Sequence, residues 1–399
     1  MQKDEDGFLY PHIDQGKCIS CGLCKKVCMI HTEKDSSKLH QAYVAINTDS
    51  KIRMQSSSGG VFSSLAQDIL AQNGIVVGAV FSDDYRSVKH CVAHNLDELY
   101  RMYGSKYMQS DMQGIYILVE DALKSGRKVL FTGTPCQVNG LRLFLGKEYD
   151  NLLAVDIICH GVPSSHLWDK YITSIEAKYH ASVINVNFRS KQYSWKEFGI
   201  NRIDANTREL FILKDLDPYM QMFIRNYCLR PSCYQCLAKG TRYSDITIGD
   251  FWGVENIFPD MNDGKGTSAL IVRTQKGSHI VSRISQQLVL RTVDYSEVIR
   301  NNPMESVSVA KPEERETFFK DMNTESFSKI KKKYLKCPSK LMLRNLLIKW
   351  GIWKYIRPNS RLRYASDNDW YHLTFLLSKY KENEDMQEIR CHKGVRNVE

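Results

Sequence analysis

The sequence predicts a mixed α/β fold (α+β or α/β), with a small cysteine-rich segment ahead of it and a basic helical extension behind it. Three observations carry this. Strand-length apolar runs alternate with helical periodicities from about residue 59 to 180, the pattern of a largely parallel sheet covered by helices. From about 182 to 213 the pattern changes to period-two alternation around a polar turn. Four cysteines crowd into residues 18–28, and twelve basic residues with no acidic one crowd into 327–364.

The elements follow in order. Residues 1–15 are polar, and residues 31–58 are mostly polar and read as loop. Val61, Leu65, Ile69 and Leu70 share one helical face up to Gln72, and Ile75 to Val80 reads as a buried strand. A helix is expected near Gly114–Ser125, a strand at Lys128–Phe131, a helix after the Gly/Pro turn that follows, and a strand at Leu152–Ile158. Pro163 and Ser164 open the next helix, with Ser164 or Ser165 as N-cap. Val183–Phe188, Phe198–Ile203 and Leu210–Leu213 alternate, the last two joined by Asp204-Ala205-Asn206-Thr207, and read as an antiparallel excursion. Asp245–Asp250 and Ala269–Val272 return to buried strands. Three segments are expected: 1–50, 51–300 and 301–399.

A chain of 399 residues, 43% hydrophobic and 25% charged, is long enough for two or three domains and excludes a disordered polyelectrolyte. Met1 to Asp6 is too charged for a signal-peptide core, and no apolar run approaches the ~20 residues of a membrane span. A cytoplasmic protein is expected. The net charge of +10 is misleading as a global property, because 327–364 carries +12 and leaves −2 for the rest.

Twelve cysteines are many for a reducing compartment, where clustered thiols bind metal or do redox work. Cys18-x2-Cys21-x2-Cys24-x3-Cys28 has the ligand spacing of bacterial ferredoxins: thiolates three residues apart wrap three corners of a 4Fe-4S cube, and the fourth points toward a second one. Zinc is the alternative, although zinc sites pair two Cys-x2-Cys knuckles. The motif is not repeated, so a second cube needs thiolates from elsewhere. Cys228-x4-Cys233-x2-Cys236 and Cys136, directly after a strand, are the expected suppliers, with zinc or structural thiols as the alternative. Cys91, Cys159, Cys337 and Cys391 stand alone and read as inert.

Ser56-Ser57-Ser58-Gly59-Gly60 before a helix offers hydroxyls and bare N–H groups that suit a phosphate, or a simple cap with a glycine turn. Thr132-Gly133-Thr134-Pro135 and His160-Gly161-Val162-Pro163 each leave the carboxyl end of a strand, where open α/β sheets bind ligands. His160 is a candidate proton donor there, or a hydrogen-bonded loop histidine. The Gly-x-Gly-x-x-Gly fingerprint of a Rossmann dinucleotide site does not occur.

Taken in order, Cys18 to Cys24, Ser57-Ser58-Gly59-Gly60, Gly104-Ser105-Lys106-Tyr107, Thr132 to Gln137, His160 to Pro163, Leu229 to Cys236 and Asp245 to Gly253 resemble the coenzyme F420 hydrogenase/dehydrogenase beta-subunit family. The resemblance runs from about Gly16 to Gly277. It implies an iron–sulfur flavoprotein oxidoreductase, with a ferredoxin-like 4Fe-4S segment over 1–50 and an FAD domain over 51–300. Hydride would pass between the deazaflavin coenzyme F420, or another small hydride carrier, and FAD, while cubes carry single electrons to or from a redox partner protein. Ser57, Ser58, Gly59, Gly60, Lys106, Thr132, Gly133, Thr134, Pro135 and Gln137 become candidate flavin contacts, and His160 the catalytic candidate. Cys18, Cys21, Cys24, Cys28, Cys136, Cys228, Cys233 and Cys236 become the metal ligands. Met29 stands where the ferredoxin motif has proline. Relatives in organisms without the deazaflavin leave a second reading open, a non-catalytic electron-transfer or scaffold subunit of surface-polysaccharide assembly.

The segment 301–399 lies outside the resemblance and reads as a basic amphipathic helical tail. Over 327–364, lysines and arginines alternate with Leu, Ile and Trp, which suits an anionic membrane surface, an acidic partner, or a face packed on the body. No recognition module accompanies the charge, so nucleic acid is not an expected partner.

Overall fold

Nine strands join in one sheet and three in another in the computed structural model, which describes residues 1–31 and 41–335. In chain order they are β1 (Gln41–Asn47), β2 (Ile75–Phe81), β3 (Val88–Ala93), β4 (Ser110–Asp111), β5 (Val129–Gly133), β6 (Leu152–Ile157), β7 (Val183–Ser190), β8 (Gly199–Asp204), β9 (Glu209–Leu213), β10 (Ile246–Asp250), β11 (Ser268–Val272) and β12 (Leu288–Val293). Nine form a mixed sheet in the order β12-β1-β11-β10-β6-β5-β2-β3-β4, and β9-β8-β7 form the antiparallel excursion. Strands β10, β6, β5 and β2 are mutually parallel at the centre. Antiparallel neighbours flank them on either side. The central strands are apolar on both faces, as a doubly covered sheet requires.

The helices that concern the site are α1 (Leu23–Lys26), α2 (Val61–Ala71), α3 (Ile115–Lys124), α4 (Pro135–Leu145), α5 (Ser165–Tyr179), α6 (Pro218–Ile224), α7 (Gln275–Arg283), α8 (Arg315–Thr324) and α9 (Phe327–Tyr334). Successive strand residues face opposite sides. Val76, Leu130 and Leu153 therefore pack with Leu65 and Ile69 of α2, while Val77, Phe131 and Ala154 pack with Val119 of α3 and Val138 of α4. Ser164 caps α5, its Oγ accepting from the backbone of His166 and Leu167 at 3.1 and 3.4 Å.

The expected loop at 31–58 is corrected in part. Gln41–Asn47 is an interior strand between β11 and β12, because Ala42, Val44 and Ala45 are fully buried although the run has polar ends. Strands β3 and β12 were likewise not read from the sequence.

The basic segment opens inside the core. Phe327, Ile330 and Tyr334 of α9 pack with Phe318, Met322 and Tyr171. Two of its lysines pair with the chain's own acids, Lys329 with Glu325 at 2.7 Å and Lys333 with Asp321 at 2.5 Å. For 327–334 the packed face is therefore the reading that holds. The rest of the tail, with Cys337 and Cys391, lies outside the described residues. Met1–Leu335 forms one compact unit. No helix among the described residues is long and apolar enough to cross a membrane.

Candidate metal centre and groove

Two strands and one loop converge at the carboxyl end of the parallel strands. β5 runs into Thr134, the N-cap of α4, whose first turn carries Cys136. Thr134 Oγ1 lies 3.0 Å from Gln137 Oε1, which accepts from the Thr134 N–H at 2.9 Å, so the helix start is fixed. Cys136 Sγ lies 3.1 Å from the same Thr134 hydroxyl. β6 ends at Ile157, and Cys159 follows after Ile158, whose N–H donates to Ile248 O at 2.9 Å.

The third contribution is zipped to that strand end. Ser164 N donates to Cys228 O and Arg230 N to Val162 O, both at 2.9 Å, around a Pro163–Leu229 bridge. This ladder delivers the turn Pro231–Gln235 with Cys233, and then Cys236. Val162 N donates to Cys233 Sγ at 3.4 Å, and Cys236 N to Ser308 Oγ at 2.9 Å.

Cys236 therefore comes close enough to act electrostatically on Cys136, Cys159 and Cys233, and Cys136 and Cys233 both act on Cys159. Desolvation holds all of Cys136, Cys159 and Cys233 in the thiol form, Cys233 up to about 11. Although part of Cys136 is accessible, the protein packed around it desolvates its sulfur. Two cations act the other way. Arg230 lowers Cys136 and Cys233, and Lys239, which donates to Cys159 O and Met304 O, lowers Cys159. Four soft donors with two flanking cations fit a cluster of thiolate ligands, whose formation releases protons. Among the described residues no three His, Cys, Asp or Glu side chains close in as ligands of a single ion.

The structure groups the thiols differently from the expected set. Cys228 is fully buried among Tyr219, Phe223 and Leu229, and burial pushes its thiol up to about 12. Cys159, which reads as inert in the sequence, lies with Cys136, Cys233 and Cys236. Its signal was its position: like Cys136, it directly follows a central strand. Cys18, Cys21 and Cys24 are exposed and Cys28 half-buried, on the loop around α1. The 3-10 turn Met29–His31 that follows packs on α4. His160 is engaged at both sides of its ring. Its Nε2 meets Asn226 Oδ1 at 2.7 Å, the Phe223 backbone supplies a second hydrogen bond, and the ring packs edge-on to Phe223. That describes a positioned loop histidine, not a free proton donor.

The candidate flavin residues divide into two groups. Ser58, Gly59 and Gly60 stitch the sheet. Ser58 Oγ donates to Thr267 O at 2.7 Å, Gly59 N to Ser268 Oγ at 2.8 Å, and a Cβ on Gly59 would lie 2.4 Å from Ala45 O. Gly60 takes φ +89° to start α2. Thr132 Oγ1 donates to Val77 O at 3.0 Å, Pro135 is the first residue of α4, Gly133 lies against Gln137, and Gln137 Nε2 donates to Ser110 Oγ at 2.8 Å. The other group is at a groove of about 720 Å³ lined by Phe81, Tyr85, Tyr100, Arg101, Tyr103, Ser105 and Lys106. Ser57 Oγ accepts from Ser105 N at 2.6 Å and ties the two loops together. Lys106 Nζ donates to the carbonyls of Met102, Tyr103 and Gly104 at 3.0–3.2 Å, and burial lowers it to about 7. A residue the sequence did not single out stands near it. His90 is buried, its Nε2 meets Thr132 O at 2.9 Å, and its Nδ1 has no hydrogen-bond partner among the described residues. Because a carbonyl only accepts, Nε2 carries the proton and Nδ1 is an open acceptor.

Comparison with known proteins agrees with the motif order. Residues 42–115 match the family model "Coenzyme F420 hydrogenase/dehydrogenase, beta subunit N-term", and residues 126–298 match the model of the corresponding C terminus. A coenzyme F420-dependent sulfite reductase from Methanocaldococcus jannaschii is 22% identical over 265 residues, 66% of this chain and 40% of that protein. The chain thus spans about two fifths of the length of that relative. A chain of the F420-reducing NiFe hydrogenase complex from Methanosarcina barkeri aligns at 17% identity and a TM-score of 0.45, over 69% of this chain and 93% of its own.

Proposed function

Because the chain belongs to the coenzyme F420 hydrogenase/dehydrogenase beta-subunit family, we propose that it is an iron–sulfur flavoprotein oxidoreductase moving electrons between a hydride carrier and a one-electron partner. The observation that carries the reading is the meeting of Cys136, Cys159, Cys233 and Cys236 beside Arg230 and Lys239. These four would hold one 4Fe-4S cube, and Cys18, Cys21, Cys24 and Cys28, in the ferredoxin-like segment, a second. A flavin, when bound, supplies the conversion between two-electron and one-electron transfer.

The chain's own residues have separable roles in this reading. Arg230 and Lys239 stabilise thiolate charge at the inner set. The Thr134–Gln137 cap fixes the α4 turn that presents Cys136. At the groove, the Ser57–Ser105 bond closes one wall, tyrosines offer ring faces, and Arg101 and Lys106 offer cations to an FAD or deazaflavin-type ligand with an anionic arm.

Anaerobic purification with iron, sulfide and flavin quantitation tests this. About eight irons and eight sulfides per chain, with flavin reducible by a small hydride donor, are expected. Zinc without sulfide would overturn the reading.

A further inference from the structure

The outer thiol set has the character of a contact surface. Around Cys18–Cys28, Ile19 is 85% exposed, Leu23 62%, Val27 38% and Ile30 73%. Leu23 and Val27 lie one helical turn apart on the same side of α1, Val27 N donating to Leu23 O at 3.2 Å. No residue of α1 is buried, so this turn is not held by a core. The loop is anchored at its end, since the turn Met29–His31 packs on α4 while the Ile30 side chain stays exposed. Four large apolar side chains exposed on one short loop exceed the scatter of single surface hydrophobics and mark an interaction site.

Charge selects the partner. Residues 15–31 contain Lys17, Lys25 and Lys26 and no Asp or Glu. Lys17 pairs loosely with Asp14 at 3.7 Å, whereas Lys25 and Lys26 have no ion pair among the described residues. An apolar centre with a cationic rim is complementary to an acidic protein, whose approach it would steer. A second copy of the chain is disfavoured, because a two-fold contact would set these lysines against their own copies.

We propose that the Cys18–Cys28 loop is the docking face for an acidic one-electron carrier protein. This rests on the reading that these cysteines hold a cube. One electron then crosses between the cube and the carrier's oxidised centre, with no bond made or broken and no proton moved, and the hydride carrier at the other end supplies electrons in pairs. The interface is expected at the small end of specific contacts, below about 1,200 Å².

The test uses the full chain, reconstituted anaerobically and assayed first for iron and sulfide. An acidic 2Fe-2S ferredoxin is the probe, and cytochrome c, a basic one-electron protein of similar size, the contrast. Affinity and electron-transfer rate are measured at low and high salt. The ferredoxin should bind more tightly than cytochrome c, and salt should weaken it. The double variant Lys25→Glu/Lys26→Glu should lose about tenfold in ferredoxin affinity at low salt, with the gap closing at high salt. Lys25→Arg/Lys26→Arg should restore it. Ile30→Ser should weaken binding at both salts. Equal binding of both probes, or a fully loaded charge-reversal variant with unchanged ferredoxin affinity, overturns the docking proposal. Wild-type iron and sulfide near four per chain would instead overturn the two-cube reading beneath it.

Discussion

Cys18, Cys21, Cys24 and Cys28 sit on one short loop with a single helical turn and no buried residue in it. Cys136, Cys159, Cys233 and Cys236 come instead from two strand ends and a third segment that a backbone ladder zips to one of them. The first set is assembled by local chain geometry and the second by the tertiary fold. The outer ligands should therefore come together whenever the chain is there, and tolerate mutation around them. The inner ligands should exist only when the sheet does, and fail when its supports fail.

The sharpest contrast comes from removing one ligand. Cys159→Ala or Cys233→Ala should take the iron content from about eight to about four per chain and abolish transfer between the groove and the outer loop. Cys228→Ser should retain all the iron. Its cost should appear in stability, about 1–3 kcal/mol in chemical denaturation, because a hydroxyl replaces a buried thiol among apolar side chains. Loss of iron in the Cys228 variant would break the assignment of the inner set.

Next come the supports. Beneath the inner set, Arg242 joins Asp156 at 2.9 Å and Glu305 at 2.7 Å, and Arg273 also reaches Glu305. All four side chains are at most 4% exposed. Arg242→Met would leave two buried carboxylates undercompensated and should cost about 3–5 kcal/mol by denaturant titration. Lys17→Met breaks the outer loop's 3.7 Å pair with Asp14, whose partners are mostly exposed, and should cost no more than about 1 kcal/mol. Comparable losses would mean that the outer loop is more deeply embedded than its exposure indicates.

The same contrast explains what could be read in advance. The outer cysteines are legible as a set because they obey a local spacing rule, and the central strands and helices because each buries a periodic face. Cys159 is harder to read, because its one local mark is a place just after a central strand. The Ser164–Cys228 and Arg230–Val162 bonds, far apart in sequence, help bring Cys233 and Cys236 to it. Cys228 misled because it has good spacing to Cys233 but points into the aromatic core. Strand β1 was missed because Ala42 and Ala45 are small and its ends are polar, so the burial comes from its neighbours β11 and β12. The flavin candidates Ser58 and Gly59 read as donors for a phosphate, whereas Ser58 Oγ donates to Thr267 O and Gly59 N to Ser268 Oγ.

A smaller effect follows from the order of exposure. A strong chelator under mild oxidation should strip the iron in two phases, with the exposed outer set first and the inner set only at denaturant concentrations that melt the sheet. Visible absorbance and circular dichroism followed together would show this. A single phase coincident with unfolding would break the distinction between the two sets.

The smallest effect concerns charge on the inner side. Lys106 keeps its ammonium against three carbonyls, but burial lowers it from 10.5 to about 7. As pH rises through 7 the amine loses its proton, and with it a unit of positive charge and one of its three donors. An anionic ligand in the groove is then held less well. The sign is therefore a fall in affinity for FAD from about pH 6 to about pH 8, by no more than about tenfold, since one charge near a wet groove is worth about 1.4 kcal/mol or less. Riboflavin, which lacks the phosphates, should show little of this fall. Lys106→Met should flatten the FAD profile at the weaker, high-pH level. A profile that stays flat in the wild-type chain would place the anionic arm elsewhere and leave Lys106 as a clasp for its own turn.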